Sequence, residues 1–158
     1  MTIRSIRDGD WDGIVALEAA TYTETALSEE PAALKSRGAP TTSFVLEAQG
    51  QLAGYLLALP YPLFRYPDLS RAEEAGFRSS NLHLHDLVIA EHHRRRGLAT
   101  NLLHHLANAA TQQRYERISL VAVAGSDTFW SAKGYRAHPE IALPTSYGAN
   151  AVYMSTTI

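Results

Sequence analysis

Cysteine is absent from this 158-residue chain, and that absence excludes disulfides, thiolate metal ligands and cysteine nucleophiles together. Lysine is scarce: of 14 basic residues only Lys35 and Lys133 are not arginine, and the formal charge is −2. A broad basic surface for nucleic acid is disfavoured, which leaves room for one local anion site. No run approaches 18 uninterrupted apolar residues, and the opening MTIRSIRDGD lacks the apolar stretch of a signal peptide. The expectation is a cytoplasmic protein with no membrane partner. At 46% hydrophobic and 19% charged, the chain is too apolar for wholesale disorder. Size scaling predicts burial of roughly 69% of the extended-chain surface, enough for one domain over residues 1–158.

Ile3 and Ile6 mark a short extended segment ending at Asp8-Gly9-Asp10. Asp10 stands where an N-cap belongs, before a predicted helix over 11–20. Ser28-Glu29-Glu30-Pro31 opens a second helix that Gly38 closes, with Lys35 and Arg37 in its last turn. TTSFVLEA and QLAGYLLA flank Gln49-Gly50 as the arms of a hairpin. Residues 60–80 break the rhythm. PYPLFRYPDLS holds three prolines and three aromatics, which excludes an interior strand, and residues 71–75 predict a turn or two of helix. The segment reads as a loop anchored by its rings, as a wall or lid over a site, or as both.

NLHLHDLVIA then reads as a strand and LATNLLHHLANAATQQ as a helix with Leu98, Leu102, Leu106 and Ala109 along one flank. ERISLVAVA is a further strand, and Ser126-Asp127 starts a short helix that Gly134 closes. Residues 135–143 and 151–157 complete the pattern as two strands. A strand, crossover helix and strand in the middle imply one parallel pair inside an otherwise antiparallel sheet. The fold class is therefore α/β in the α+β sense.

The most informative segment runs from Val88 through Glu91-His92-His93 to Thr100. A buried strand enters a turn of three arginines, and Gly97 sits where the next helix must begin. The first N–H groups of a helix lack intrahelical acceptors, and the helix dipole adds positive potential. Together they suit phosphate. Neither GxGxxG nor a GKS or GKT phosphate loop is present. The alternative is a solvated arginine run before an ordinary helix.

These residues resemble the GNAT superfamily of acyl-CoA-dependent N-acetyltransferases. Its Arg/Gln-x-x-Gly-x-Gly/Ala turn appears as Arg94-Arg95-Arg96-Gly97-Leu98-Ala99. A later landmark, Phe-Tyr, three residues, Gly-Phe, appears as Phe129-Trp130-Ser131-Ala132-Lys133-Gly134-Tyr135. The resemblance spans residues 2–157. It implies a mixed, mostly antiparallel seven-stranded sheet with about four flanking helices and a long loop before the fourth strand. It also implies acetyl-CoA as cofactor, with its diphosphate on Arg94, Arg95, Arg96, Gly97, Leu98, Ala99 and Thr100. The pantetheine arm would lie beside Leu87, Val88 and Ile89, with Ser126, Phe129 and Trp130 completing the wall.

On a regular strand His83, His85, Leu87 and Ile89 share one face, and Leu82, Leu84, Asp86 and Val88 the other. Two imidazoles on one face can accept a proton near neutral pH; the alternative is a half-wet face without chemistry. The pair resembles the paired histidines of serotonin N-acetyltransferase, which implies that His83 and His85 form a shared, water-linked base. Asp86 points away from such a site unless a bulge turns it. Trp130 stands where many relatives have a tyrosine that protonates the departing thiolate. Indole is no practical general acid, so Tyr147, with Tyr153 or Tyr135 behind it, is the candidate hydroxyl, and water is the alternative proton source.

Trp11, Tyr22, Tyr61, Phe64, Tyr66 and Phe77 can build an apolar acceptor pocket, with Tyr22, Tyr61, Phe64 and Tyr66 as its candidate substrate contacts. Alternatively each ring anchors a loop. Glu18, Glu24, Glu73 or Glu74 can draw in an ammonium group. The His-x-His pattern lacks organised third and fourth ligands, so no metal is expected.

The resemblance implies acetyl transfer from acetyl-CoA to a primary amine of a small molecule, by direct attack in a ternary complex. The long 60–80 loop favours a narrow site over a peptide groove. Acetylation of a protein N-terminus or lysine, and CoA sensing without transfer, stand as alternatives. A homodimer is left open.

Overall fold

Alternation of side chains along the strands sets the architecture. The computed structural model describes residues 1–23 and 27–158. Seven strands form one sheet: β1 (Thr2–Ser5), β2 (Phe44–Ala48), β3 (Gln51–Pro60), β4 (Asn81–Ile89), β5 (Arg117–Ala122), β6 (Arg136–Ala137) and β7 (Val152–Thr157). Their spatial order is β1-β2-β3-β4-β5-β7-β6. The β4–β5 pair is parallel and the other neighbours are antiparallel. Among the described residues four α-helices flank the sheet: α1 (Trp11–Thr21), α2 (Pro31–Lys35), α3 (Leu98–Gln112) and α4 (Asp127–Ala132). The long segment before β4 is present, so the expected mixed sheet with four helices stands.

Phe44, Leu46, Leu56 and Ala58 face α3, where Leu98, Leu102, Leu106 and Ala110 form a buried stripe. Ala110 rather than Ala109 continues the i, i+4 series into the core. Val45, Tyr55 and Leu57 point the other way, against Ile14 of α1 and Leu34 of α2. Each fully buried Leu contributes roughly 1.5–3 kcal/mol.

β4 is irregular where it matters. Asp86 pairs with Leu57 but Leu84 pairs with Ala58, so His85 is the extra residue of a bulge. The alternation inverts across it. Leu82 and Leu84 lie on the α3 side, Leu87 and Ile89 pack there too, and Val88 falls among Tyr55 and Leu57 on the opposite side. The regular-strand grouping of Val88 with Leu84 is thereby corrected, because a one-residue slip in a period-two element reverses every later side chain. Pairing of β4 with β5 covers Asn81↔Arg117, Leu82↔Ile118 and His83↔Ser119. Beyond His83 the two strands part, just where the bulge redirects β4.

Two local expectations fail for identifiable reasons. Residues 71–75 form bends rather than helix, because the carbonyls of Asp68 and Arg71 accept hydrogen bonds from the Arg37 guanidinium (2.7 and 2.6 Å). The strand expected over 135–143 shrinks to Arg136–Ala137. Pro139 lacks the N–H that a ladder needs, and a 3-10 turn at Thr145–Tyr147 leads back to β7. Arg37, expected in the last turn of the second helix, lies just past its end at Lys35 and is fully buried.

Candidate active site

The chain enters α3 through two left-handed residues, Arg95 (φ 67°) and Gly97 (φ 73°). A Cβ at Gly97 would meet no heavy atom within 4 Å, so backbone conformation and not crowding calls for glycine. Arg94 Nε donates to the Ile89 carbonyl (2.9 Å) and ties the turn to the end of β4. The Asn101 N–H bonds Gly97 O at 3.1 Å. The N–H groups of Leu98, Ala99 and Thr100 precede that bond and have no intrahelical acceptor. Together with Arg94, Arg95 and Gly97 these three residues line a cavity of about 540 Å³. Arg96 is exposed and outside that lining. Directed N–H donors, a helix N-terminus and two guanidinium groups fit the diphosphate of an acyl-CoA.

Where β4 and β5 part, a second cavity of about 300 Å³ opens. It shares Leu87, Ile89, Ala99 and Phe129 with the first, and adds Ser126 and Trp130. Val88 lines neither, a consequence of the bulge. The Trp130 indole is buried edge-on against Phe129 (5.0 Å between centroids) and Tyr135 (5.4 Å). A third, small cavity of about 40 Å³ shares Tyr22, His85, Asp86, Val121 and Val123 with the second, and adds Glu29, Leu69 and Tyr147. The three form one passage from the anion turn to His85.

His85 Nε2 lies 2.6 Å from Glu29 Oε2, with the two side chains 4% and 3% exposed. Arg37 donates to Glu29 Oε1 from Nε (3.0 Å) and pairs with it through Nη2 (2.9 Å). Burial alone would push the Glu29 carboxyl up, but the hydrogen bond and charge of His85, with Arg37, hold it below the ordinary range. Asp86 accepts hydroxyl protons from Tyr22 (2.7 Å) and Tyr55 (2.6 Å). Its burial outweighs them and holds the carboxyl above the ordinary range. The bulge has turned Asp86 into the cleft lining, as the conditional reading of that residue required.

His83 is different. It is 1% exposed, with Nδ1 2.8 Å from Ser119 Oγ and its ring stacked on Tyr153 (6.4 Å). Burial, reinforced by His85 and Arg37, pushes its pKa down to about 3, so the ring is neutral. The two imidazole centroids are 6.4 Å apart, and His83 lines none of the three cavities. The structure separates the two histidines that the sequence pattern joined: one faces the cleft and the other is core.

Of the expected acceptor aromatics, Tyr22 lines the cleft. Tyr61 packs edge-on against Phe77 (4.8 Å), Phe64 against His138 (5.2 Å), and the Tyr66 hydroxyl donates to Ala142 O (2.9 Å). These three lie outside the passage and anchor the 60–80 loop. Leu69 is that loop's contribution to the third cavity. The Tyr147 hydroxyl donates to the Pro67 carbonyl, so its proton is committed. Tyr153 OH accepts the Phe64 N–H (2.8 Å). Glu18 is structural: it accepts from Ser28 Oγ (2.6 Å) and the Glu29 N–H (2.8 Å). Glu73 pairs with Arg37 and Glu74 with exposed Arg71, both at 3.4 Å. Glu24 lies outside the described residues. Sequence reasoning missed Glu29, Arg37 and Tyr55; the helix-start and helix-end patterns around Glu29 and Arg37 masked their burial. Among the described residues, no three acidic or imidazole side chains converge to hold a metal ion, and no helix is long and apolar enough to cross a membrane.

Left-handed glycine turn, parted β4 and β5, and the mixed sheet together define the architecture of a CoA-dependent acyltransferase. Residues 11–135 match the profile of the Acetyltransferase (GNAT) family, and the chain belongs to that family. Among solved structures it is similar to Ard1 from Thermoplasma volcanium, with a TM-score of 0.74 and 18% identity over 99% of this chain and 97% of that one. It is similar also to the loading GNATL domain of CurA from Lyngbya majuscula (TM-score 0.77, 17% identity, 99% and 96% covered). A third is the ribosomal-protein-S18-alanine N-acetyltransferase from Escherichia coli (TM-score 0.72, 16% identity, 99% and 93% covered). At these identities the likeness concerns the fold. A search of curated proteins finds no match.

Proposed function

We propose that the protein transfers an acetyl group from acetyl-CoA to the primary amine of a small molecule, by direct attack in a ternary complex, with His85 as the base. The observation that carries this reading is the continuous passage from the α3 anion turn to the His85 ring. Bound acetyl-CoA supplies an acyl group activated as a thioester with a good leaving group. The first-turn N–H groups of α3, with Arg94 and Arg95, hold the diphosphate. Leu87, Ile89, Phe129 and Trp130 pack along the arm and exclude water. His85 takes the proton that an attacking amine must lose, and Glu29 stabilises the imidazolium so formed. His83 supports the sheet, Tyr147 shapes the acceptor end, and solvent is the proton source for the departing thiolate.

The acceptor end favours a small amine. Its free space is about 40 Å³, Leu69 and Tyr147 line it, and Glu29 and Asp86 give it acidic walls. A peptide acceptor needs an open groove there. The test is acetyl-CoA-dependent thiol release across a panel of small primary amines and of peptides with free N-termini or lysines. Turnover with small amines is expected, and His85→Gln should lose it by about 100-fold or more while CoA affinity persists. Turnover with peptides alone would replace this reading by protein acetylation. CoA binding without thiol release from any acceptor would leave a sensor.

A further inference from the structure

We propose that Glu29 is the positioning residue of the site: it fixes the proton of the neutral His85 ring on Nε2 and so makes Nδ1 the nitrogen that accepts the substrate proton. The inference rests on His85 being the base proposed above and specifies how that base is set.

For the neutral ring the geometry leaves one arrangement of protons. Glu29 Oε1 faces Arg37 and Oε2 lies 2.6 Å from His85 Nε2. A carboxylate paired with a guanidinium is ionised and only accepts hydrogen bonds, so the shared proton belongs to Nε2. A neutral imidazole carries one N–H, and the lone pair is therefore on Nδ1. Nδ1 takes the amine proton as the C–N bond forms and the C–S bond breaks. Solvent protonates the departing thiolate and later removes the proton from Nδ1. During that interval the ring is a cation in a nearly dry wall, where an unpaired charge is costly.

Other groups facing His85 do not duplicate this service. Asp86, its β4 neighbour, is engaged by the phenols of Tyr22 and Tyr55. His83 is neutral, and Tyr147, from the turn before β7, donates to Pro67. Glu29 is also held firmly from its own side. Glu18 of α1 accepts its N–H, and Arg37 grips the loop carbonyls of Asp68 and Arg71 with the same Nη2 that pairs with Glu29. One guanidinium thus ties the orienting carboxylate to the loop that carries Leu69 into the acceptor end.

The experiment combines ¹⁵N spectra of the imidazole rings with pH profiles of kcat/KM for wild type and Glu29→Gln. Wild type is expected to show His85 protonated at Nε2 and bare at Nδ1. Glu29→Gln keeps an acceptor oxygen but removes the charge. It should lower kcat by about tenfold or more, leave the KM for acetyl-CoA unchanged, and move the acidic limb of the profile to lower pH. Glu74→Gln, at an exposed carboxylate paired with Arg71, should move none of these. A wild-type ring protonated at Nδ1, or a Glu29→Gln profile that superimposes on wild type, would overturn the inference. If Glu29→Gln does not fold, the wild-type spectrum decides. Full turnover in His85→Gln would instead overturn the proposed base, and the role of Glu29 with it.

Discussion

His83 shows how burial alone changes what a residue can do. Its folded form stays neutral down to about pH 3, whereas an unfolded chain takes up the proton near the ordinary value of 6.5. Protons therefore favour the unfolded state across that window, and stability should fall on acidification by up to about 1.4 kcal/mol per pH unit. Urea midpoints measured from neutral pH to about pH 5 should drop more steeply for wild type than for His83→Gln; parallel curves would contradict the assignment. Tyr55→Phe removes one of two donors to a buried carboxylate and should cost about 1–3 kcal/mol by the same measurement. Trp130 is buried edge-on against Phe129 and Tyr135, and in the proposed reaction it packs rather than donates. Trp130→Phe should retain most of the turnover at saturating acetyl-CoA, while Trp130→Ala should lose about 3–5 kcal/mol of stability. A collapse of turnover in folded Trp130→Phe would give the indole N–H a role denied to it here. At this scale the sequence was half legible. His85 could be picked out by its strand position, but Glu29 and Arg37 meet it only through tertiary packing, and no local pattern announces a buried ion pair.

The elements divide in the same way. The α3 turn was legible because its requirement is a backbone one: a left-handed residue before a helix is written as glycine, and the arginines around it complete the pattern. Gly97→Glu should therefore strain the turn by about 1–2 kcal/mol and set a negative charge beside the diphosphate. Calorimetry should show CoA affinity falling sharply in a protein that still folds, and undiminished binding would remove the site from this turn. The β4 bulge left no such trace. Asn81–Ile89 alternates well enough to pass for a regular strand, and only its register against Leu57 and Ala58 reveals the extra residue. The short β6 was misread for the opposite reason, since apolar composition over 135–143 concealed what Pro139 forbids.

For the molecule as a whole, fold and cleft follow from the same event. The bulge ends the pairing of β4 with β5, the gap becomes the passage, and α3 closes one end of it with unpaired N–H groups while Glu29, His85 and Asp86 wall the other. The 60–80 loop was expected either to anchor itself or to wall a site. Its rings anchor it, and Leu69 lines the small cavity beside His85. The order of elements was legible because each hydrophobic run has its own period and punctuation. Which runs meet at the acceptor end was not, because that depends on contacts between residues far apart in the chain. The central claim is that acyl-CoA lies in this passage, and an amide ¹⁵N–¹H titration with CoA tests it directly. Shifts should concentrate at residues 94–100, at Leu87 and Ile89, and at residues 126–130. Shifts centred instead on the separate hollow at residues 71–77, or none at saturating CoA, would contradict the account.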